Sequence, residues 1–325
     1  MFDRPARFRG VEFLMVMLAG IAAVAPDAWS QTSPPQAPHA NDVAIVLLGT
    51  GTPNPDADRQ GPSLAIVVNG KAYLVDAGTG VVRQANSGFR RGIPALQPTR
   101  LDIVFLTHLH SDHTFGLPDL ILTPWIMERT KPLRLYGPQG TKEMAEHILN
   151  AYKEDIQVRT TGLEHANTTG YKVEAHDVEP GSVYRDANVN VTAFLVKHGS
   201  WKEALGYRFV AGGKTIVVSG DTSPAESVVE ACSGCDALIH EVHAGSASPA
   251  GKSSMSGADW MEYEHAFHTS AAELGDIAAR AKAKTLILTH WGLLGNTSES
   301  DMLQAIRDKY TGPIIVGRDL DVIAP

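Results

Sequence analysis

Apolar residues come in short bursts along this chain, with no single sustained period. Val43–Leu48, Leu64–Val68 and Ala72–Val75 are brief runs separated by turn residues such as Asn69-Gly70, which predicts an opening meander of strands. Ile103–Leu106, Leu133–Tyr136, Val189–Val196, Tyr207–Val210, Thr215–Val218, Ala237–Ile239, Leu286–Leu288 and Ile314–Val316 continue the strand list. Helices are expected at Lys142–Tyr152, Pro224–Ala231, Ala271–Ala281 and Ser300–Lys309. Ser223-Pro224-Ala225-Glu226 and Ser270-Ala271-Ala272-Glu273 both read as capping boxes, the first with Pro at the first helical position. Strands first, then helices, then a second group of each predict an α/β protein with two sheets back to back and helices outside. Gly245–Phe267, low in apolar residues, reads as a long loop able to act as a lid.

Composition narrows the class. Of 325 residues 43% are hydrophobic and 20% charged, which excludes disorder as the whole answer. Thirty Gly and 19 Pro follow no three-residue period, so the chain is not collagen-like. A formal charge of −8 argues against a generic nucleic-acid coat, which wants a basic field. Two cysteines build neither a disulfide scaffold nor a four-Cys zinc site. Cys232-Ser233-Gly234-Cys235 is either a small disulfide or a buried thiol pair.

The start of the chain reads as an address. Arg4, Arg7 and Arg9 precede the apolar run Phe13–Ala25, whose 13 residues fall short of the roughly 20 a bilayer span takes. Ala28-Trp29-Ser30 then offers a cleavage site. Residues 1–30 are therefore expected to be a signal peptide, residues 31–42 a flexible tether, and residues 43–325 one domain, exported to the periplasm or beyond. No later segment is long and apolar enough to cross a membrane, so no membrane is expected after cleavage.

The strongest chemical signal is Thr107-His108-Leu109-His110-Ser111-Asp112-His113, directly after an apolar strand. In extended backbone His108 and His110 project to one side, and the chain must turn before Asp112 and His113 can reach a second position. Nitrogen and oxygen donors without sulfur favour Zn²⁺, with Mn²⁺ or Fe as substitutes.

His-x-His-x-Asp-His after an apolar strand resembles the signature of the metallo-β-lactamase superfamily. The resemblance implies a four-layer αβ/βα sandwich with a binuclear zinc site on one edge. It also implies further ligands at strand ends, which His198, Asp221 and His290 supply in the right order. By this analogy His108, His110 and His198 hold one Zn²⁺, Asp112, His113 and His290 hold the second, and Asp221 bridges; Asp112 counts among the catalytic residues as well. Asp76 would orient ligands from behind. A hydroxide between the two ions would attack an ester, amide or anionic diester.

Gly49-Thr50-Gly51-Thr52-Pro53, Thr114-Phe115-Gly116-Leu117-Pro118, His240-Glu241-Val242-His243 and His268-Thr269-Ser270 resemble the ribonuclease Z branch, the last two its His-Glu-Ala-Thr and His-Ser-Thr motifs. The branch implies that His268, oriented by Glu241, assists the leaving group. Only 23 positions separate His198 from Asp221, which leaves no room there for a tRNA-gripping arm. With the acidic charge and the apparent export, this favours an arylsulfatase-like member acting on small aryl sulfate or phosphate esters, with no tRNA partner. Trp201, Trp291, Trp260, Tyr263 and Phe267 would wall its pocket. A ribonuclease Z-type endonuclease or phosphodiesterase is the alternative, and a lactonase or β-lactamase a further one. A homodimer is left open.

Overall fold

Alternate residues of the first strand face two different cores. Ile45 and Leu47 point one way and Ala44, Val46 and Leu48 the other, all buried. A strand buried on both faces belongs inside a layered structure, and the computed structural model, which describes residues 43–245 and 256–325, shows those layers. The expected leader and tether lie outside the described residues.

The first half of the chain builds strands β1 (Val43–Gly49), β2 (Ser63–Val68), β3 (Lys71–Val75), β4 (Ile103–Phe105), β5 (Leu133–Gly137) and β6 (Val173–Asp177). Its helices are α1 (Val81–Arg90), α2 (Ser111–Thr114), α3 (Leu117–Ile126), α4 (Thr141–Ala151) and α5 (Lys153–Thr161). The second half builds β7 (Gly181–Arg185), β8 (Val189–Val196), β9 (Ala204–Ala211), β10 (Lys214–Val218), β11 (Ala237–Ala244), β12 (Leu286–Leu293), β13 (Ile314–Val316) and β14 (Val322–Ile323). Its helices are α6 (Glu226–Cys232), α7 (Gly257–Phe267), α8 (Ala271–Arg280) and α9 (Glu299–Arg307).

One sheet runs β14-β1-β2-β3-β4-β5-β6 and the other β13-β12-β11-β10-β9-β8-β7. In each, an antiparallel meander gives way to parallel strands, from β3 in the first sheet and β10 in the second. The inner faces share one core, in which Ile45, Ile66 and Phe105 meet Val191, Phe209 and Ile216. The outer face of the first sheet is covered by α1 and α3, that of the second by α6, α8 and α9. This is the expected four-layer α/β sandwich. The ends of β3, β4, β8 and β10 bring their following residues to one edge, where β12 adds a residue from its own length, a placement typical of ligand sites on parallel sheets. No helix among the described residues is long and apolar enough to cross a membrane.

Two local expectations need correction. Residues 257–267 form helix α7 rather than loop, started by a capping box in which Ser256 accepts from Asp259 N and Asp259 accepts from Ser256 N. Residues 246–255 of the expected loop lie outside the described residues. The box at Ser223 does not form: α6 starts two residues later than expected, and Ser223 Oγ donates to Lys197 O instead. The box at Ser270 does form. Cys232 and Cys235 are joined in a disulfide at the end of α6.

Candidate metal centre

The site begins with a carboxylate behind it. Asp76 follows β3 with φ 60°, a left-handed conformation that is strained for any residue but Gly. Its Oδ1 accepts from Thr107 N (2.8 Å), and its Oδ2 accepts from His113 Nδ1 (2.8 Å) and Thr107 Oγ1 (2.9 Å). Thr107 Oγ1 in turn lies 3.0 Å from His108 Nδ1. His198 Nδ1 donates to Phe267 O (2.8 Å). Three imidazoles are thus pinned by Nδ1, which fixes the tautomer and turns each Nε2 inward.

The inward nitrogens meet. His110 Nδ1 lies 3.0 Å from His108 Nε2 and 3.1 Å from His198 Nε2. The three rings stand at 69° to 79° to one another, so their in-plane lone pairs converge. One proton cannot serve three facing nitrogens. A cation can, since Zn–N bonds of ~2.0 Å at tetrahedral angles place nitrogens about 3.3 Å apart.

Next to this triad, His113 Nε2 has no hydrogen-bond partner and sits 3.5 Å from Asp112 Oδ2 and 3.4 Å from Asp221 Oδ2. His290 Nε2 is 3.2 Å from Asp112 Oδ2 and 3.5 Å from Asp221 Oδ2. His290 reaches this place through a bulge. The β11–β12 register shifts between Glu241 and Val242, and His290 is the extra residue, with φ 44°. Asp221 is delivered by Gly220, whose φ of 62° and approach to Leu205 O and Thr107 admit no side chain. Donor atoms of His108, His110 and His198, of His108, His113 and Asp221, and of Asp112, His113 and His290 lie mutually close in each group. All seven residues singled out in the sequence as ligands therefore converge.

Electrostatics divides them. Burial lowers the pKa of His108 and His110, and takes His198 down to about 4. These imidazoles are neutral at pH 7, the form that can donate to a metal. Burial also opposes charge on His113 and His290, but Asp221, with Asp76 for one and Asp112 for the other, outweighs it and raises both. Burial likewise opposes the negative charge of Asp221, and His290 and His113 overcome it, holding the carboxyl well below its usual range.

His268 and Glu241 also arrive together, with His268 Nδ1 3.4 Å from Glu241 Oε2. Glu241 Oε1 accepts from Thr222 N (3.2 Å) and Thr269 N (3.0 Å). Burial nonetheless pushes Glu241 up to about 8 and lowers His268. Glu241, His243, His268 and His290 form a fourth close group, but a poor chelate. The His243 and His268 rings lie face to face at 3.8 Å and 18°, whereas the convergent triad has centroids 4.6 to 4.9 Å apart. Stacked rings run their lone pairs side by side. His240 lies outside the site, buried in the β11 strand with Nδ1 on Glu241 O. Glu264 and the carbonyl of Phe267 are parts of the site that carry no sequence motif, and the role of Thr107, which opens the histidine motif, was not read from it.

The beta-lactamase superfamily domain model matches residues 71–291, a stretch that holds all seven donors. The chain belongs to the metallo-β-lactamase superfamily, and is a hydrolase. It is 33% identical over 283 residues to ribonuclease Z of Mycobacterium bovis (strain BCG / Pasteur 1173P2), a match covering 85% of this chain and 96% of that one. Among solved structures it is similar to the metallo-β-lactamase fold protein YhfI from Bacillus subtilis, with TM-score 0.66 and 19% identity, covering 87% of this chain and 99% of that one. It is also similar to human tRNase Z, short form, with TM-score 0.62 and 22% identity, covering 87% and 99%.

These relatives overturn the expectation of a small aryl ester substrate and of no tRNA partner. A missing arm does not exclude the branch, because this chain matches almost the whole length of a protein named ribonuclease Z. The aromatics offered as an aryl pocket are engaged in packing. Arg59 and Arg318 both lie over the Trp291 ring, 4.0 Å and 4.9 Å from its centroid, and Trp291 donates to Gly317 O. Trp201 Nε1 lies 2.8 Å from His110 Nε2, and Phe267 packs on His198 at 5.0 Å with Tyr263 stacked on it at 4.5 Å.

Proposed function

We propose that this protein is a phosphodiesterase of the ribonuclease Z type that cuts the backbone of tRNA precursors with the help of two Zn²⁺. The reading is carried by one conjunction. A two-ion donor set stands beside a His–Glu pair in a chain that matches ribonuclease Z over nearly its full length. His108 Nε2, His110 Nδ1 and His198 Nε2 would hold one ion; Asp112, His113 and His290 would hold the other, with Asp221 between. When bound, the ions supply Lewis acidity, easing ionisation of the attacking water and offsetting charge on the phosphoryl oxygens.

The chain's own groups handle the protons. Asp112, whose side chain is more open to solvent than that of Asp221, is the carboxylate placed to take a proton from the attacking water. As the water oxygen bonds to phosphorus, the bond from phosphorus to the departing sugar oxygen breaks, and that oxygen needs a proton. His268 faces Glu241 with Nδ1, which leaves Nε2–H on the opposite side of the ring to give it. Burial raises the pKa of Glu241, which favours a proton on its carboxyl that it can pass to Nδ1 as His268 Nε2 loses one. Once the proton has left, the negative charge rests on the Glu241 carboxylate, to which Thr222 N and Thr269 N donate.

His268→Ala is expected to slow cleavage of a 3′-extended tRNA precursor by roughly 10²-fold or more, the usual worth of a positioned acid. His110→Ala should abolish it and lower bound zinc. Full RNA cleavage by either variant, measured by gel assay on zinc-loaded protein, rejects these roles.

A further inference from the structure

His243 is the one member of the late cluster to which neither the ligand set nor the proton path gives a task. It stands where the resembled His-Glu-Ala-Thr motif ends in Thr. Its ring lies against the face of His268, 3.8 Å between centroids and 18° between planes. Its other ring neighbour, His290, is at 6.1 Å. Its Nδ1 donates to Glu264 Oε2 (2.8 Å), which orients the ring, and its Nε2 has no hydrogen-bond partner.

Glu264 does two things at once. Its side chain anchors the His243 ring, and its backbone carbonyl accepts from His268 N (2.8 Å). His243 N meanwhile donates to Thr269 O (3.0 Å), the residue after His268. Strand β11 is tied to α7 and the residues just after it by one backbone bond, one side-chain bond and one ring stack, and the Glu264–His268 bond closes the end of the helix. The other rings near His268 are His198 at 5.6 Å, His290 at 6.0 Å and Tyr263 at 6.4 Å. None of these covers its face as His243 does. The Glu241 contact, at 3.4 Å, restrains only one edge.

We propose that His243, anchored by Glu264, is a positioning residue for His268, holding its ring where Nε2 can reach the leaving oxygen of the RNA backbone. The proposal rests on the phosphodiesterase reading above and extends it to a second His–Glu pair stacked behind the first.

Leaving-group dependence tests it. A sugar alkoxide needs a proton on departure, and p-nitrophenolate does not. Displacing His268 therefore slows RNA cleavage but spares bis(p-nitrophenyl) phosphate. Zinc-loaded His243→Ala is expected to lose about tenfold or more in kcat on a 3′-extended tRNA precursor, a part of the range a general acid provides, with KM little changed. On the activated diester it should stay within about twofold, again because no acid is needed. Glu264→Ala, which keeps the ring but frees it, should show the same pattern more weakly. Bound zinc should not change in either variant. Equal losses on both substrates, or no loss on RNA, overturn the proposal. A wild-type protein that cleaves the activated diester but never RNA overturns the reading beneath it, and the proposal with it.

Discussion

Asp76 shows how much one buried residue decides. It accepts strained backbone to place a carboxylate that grips His113 directly and His108 through Thr107. Asp76→Ala would free the His113 ring and leave the Thr107 hydroxyl without its acceptor. Loss of such an orienting partner typically costs ~10–100-fold in metal affinity. Competition with a chelator should show that loss for the ion held by His113, and unchanged affinity would contradict the assigned role. Asp76 was legible in the sequence because it ends an apolar strand, and His108, His110, Asp112 and His113 because they crowd into six residues just after one. Glu264 was not. It is an ordinary Glu in a polar stretch, and only the fold brings it to His243. The Phe267 carbonyl that holds His198 could not be read at all, since a backbone acceptor leaves no trace in residue identity.

Among the elements, the central parallel strands β4 and β11 were easiest to foresee, as their apolar runs are buried on both faces, whereas the parallel edge strand β6, with its Glu, His and Asp, escaped. Helix α3 escaped because it is apolar nearly all round and carries Pro118 and Pro124. Helix α7 escaped because its polar composition resembles a loop, although Ser256 and Asp259 mark its start. Strand β7 escaped because it is short and partly exposed.

At the turn between β7 and β8, Asp186 ties the two sheets together. Its Oδ2 accepts from Lys71 Nζ (2.6 Å) and Tyr73 OH (2.8 Å) of β3, and its Oδ1 from Asn188 N (2.9 Å). Burial disfavours its charge, but these donors outweigh that and depress its pKa. A depressed carboxyl adds stability above its unfolded value, about 3.9, and that contribution fades as pH falls toward the folded value. Asp186→Asn should therefore lower unfolding stability by about 1 kcal/mol at pH 7. The gap from wild type should narrow at pH 3. Urea midpoints at the two pH values check this, and a gap that widens in acid would contradict it.

For the molecule as a whole, two sheets pack a shared core and leave one edge on which five histidines and two aspartates meet. The layered class could be read from the order of strands and helices, and the donor set from residues at strand ends. Substrate class could not. An inserted arm is a length of sequence, and its absence between His198 and Asp221 says little when a relative named ribonuclease Z is matched over 96% of its length. The expectation of aryl esters rested on aromatic residues that the fold uses to hold His110, His198, Arg59 and Arg318.

The central claim is that this edge binds two divalent ions and uses them to cut RNA. The most direct test is cleavage of a 3′-extended tRNA precursor by the purified wild-type chain, stripped of metal and then titrated with Zn²⁺. No cleavage is expected in the stripped protein, and on titration a rise that saturates near two zinc per chain. Folded, fully loaded protein that leaves the RNA intact, or cleavage indifferent to the metal, would contradict the claim.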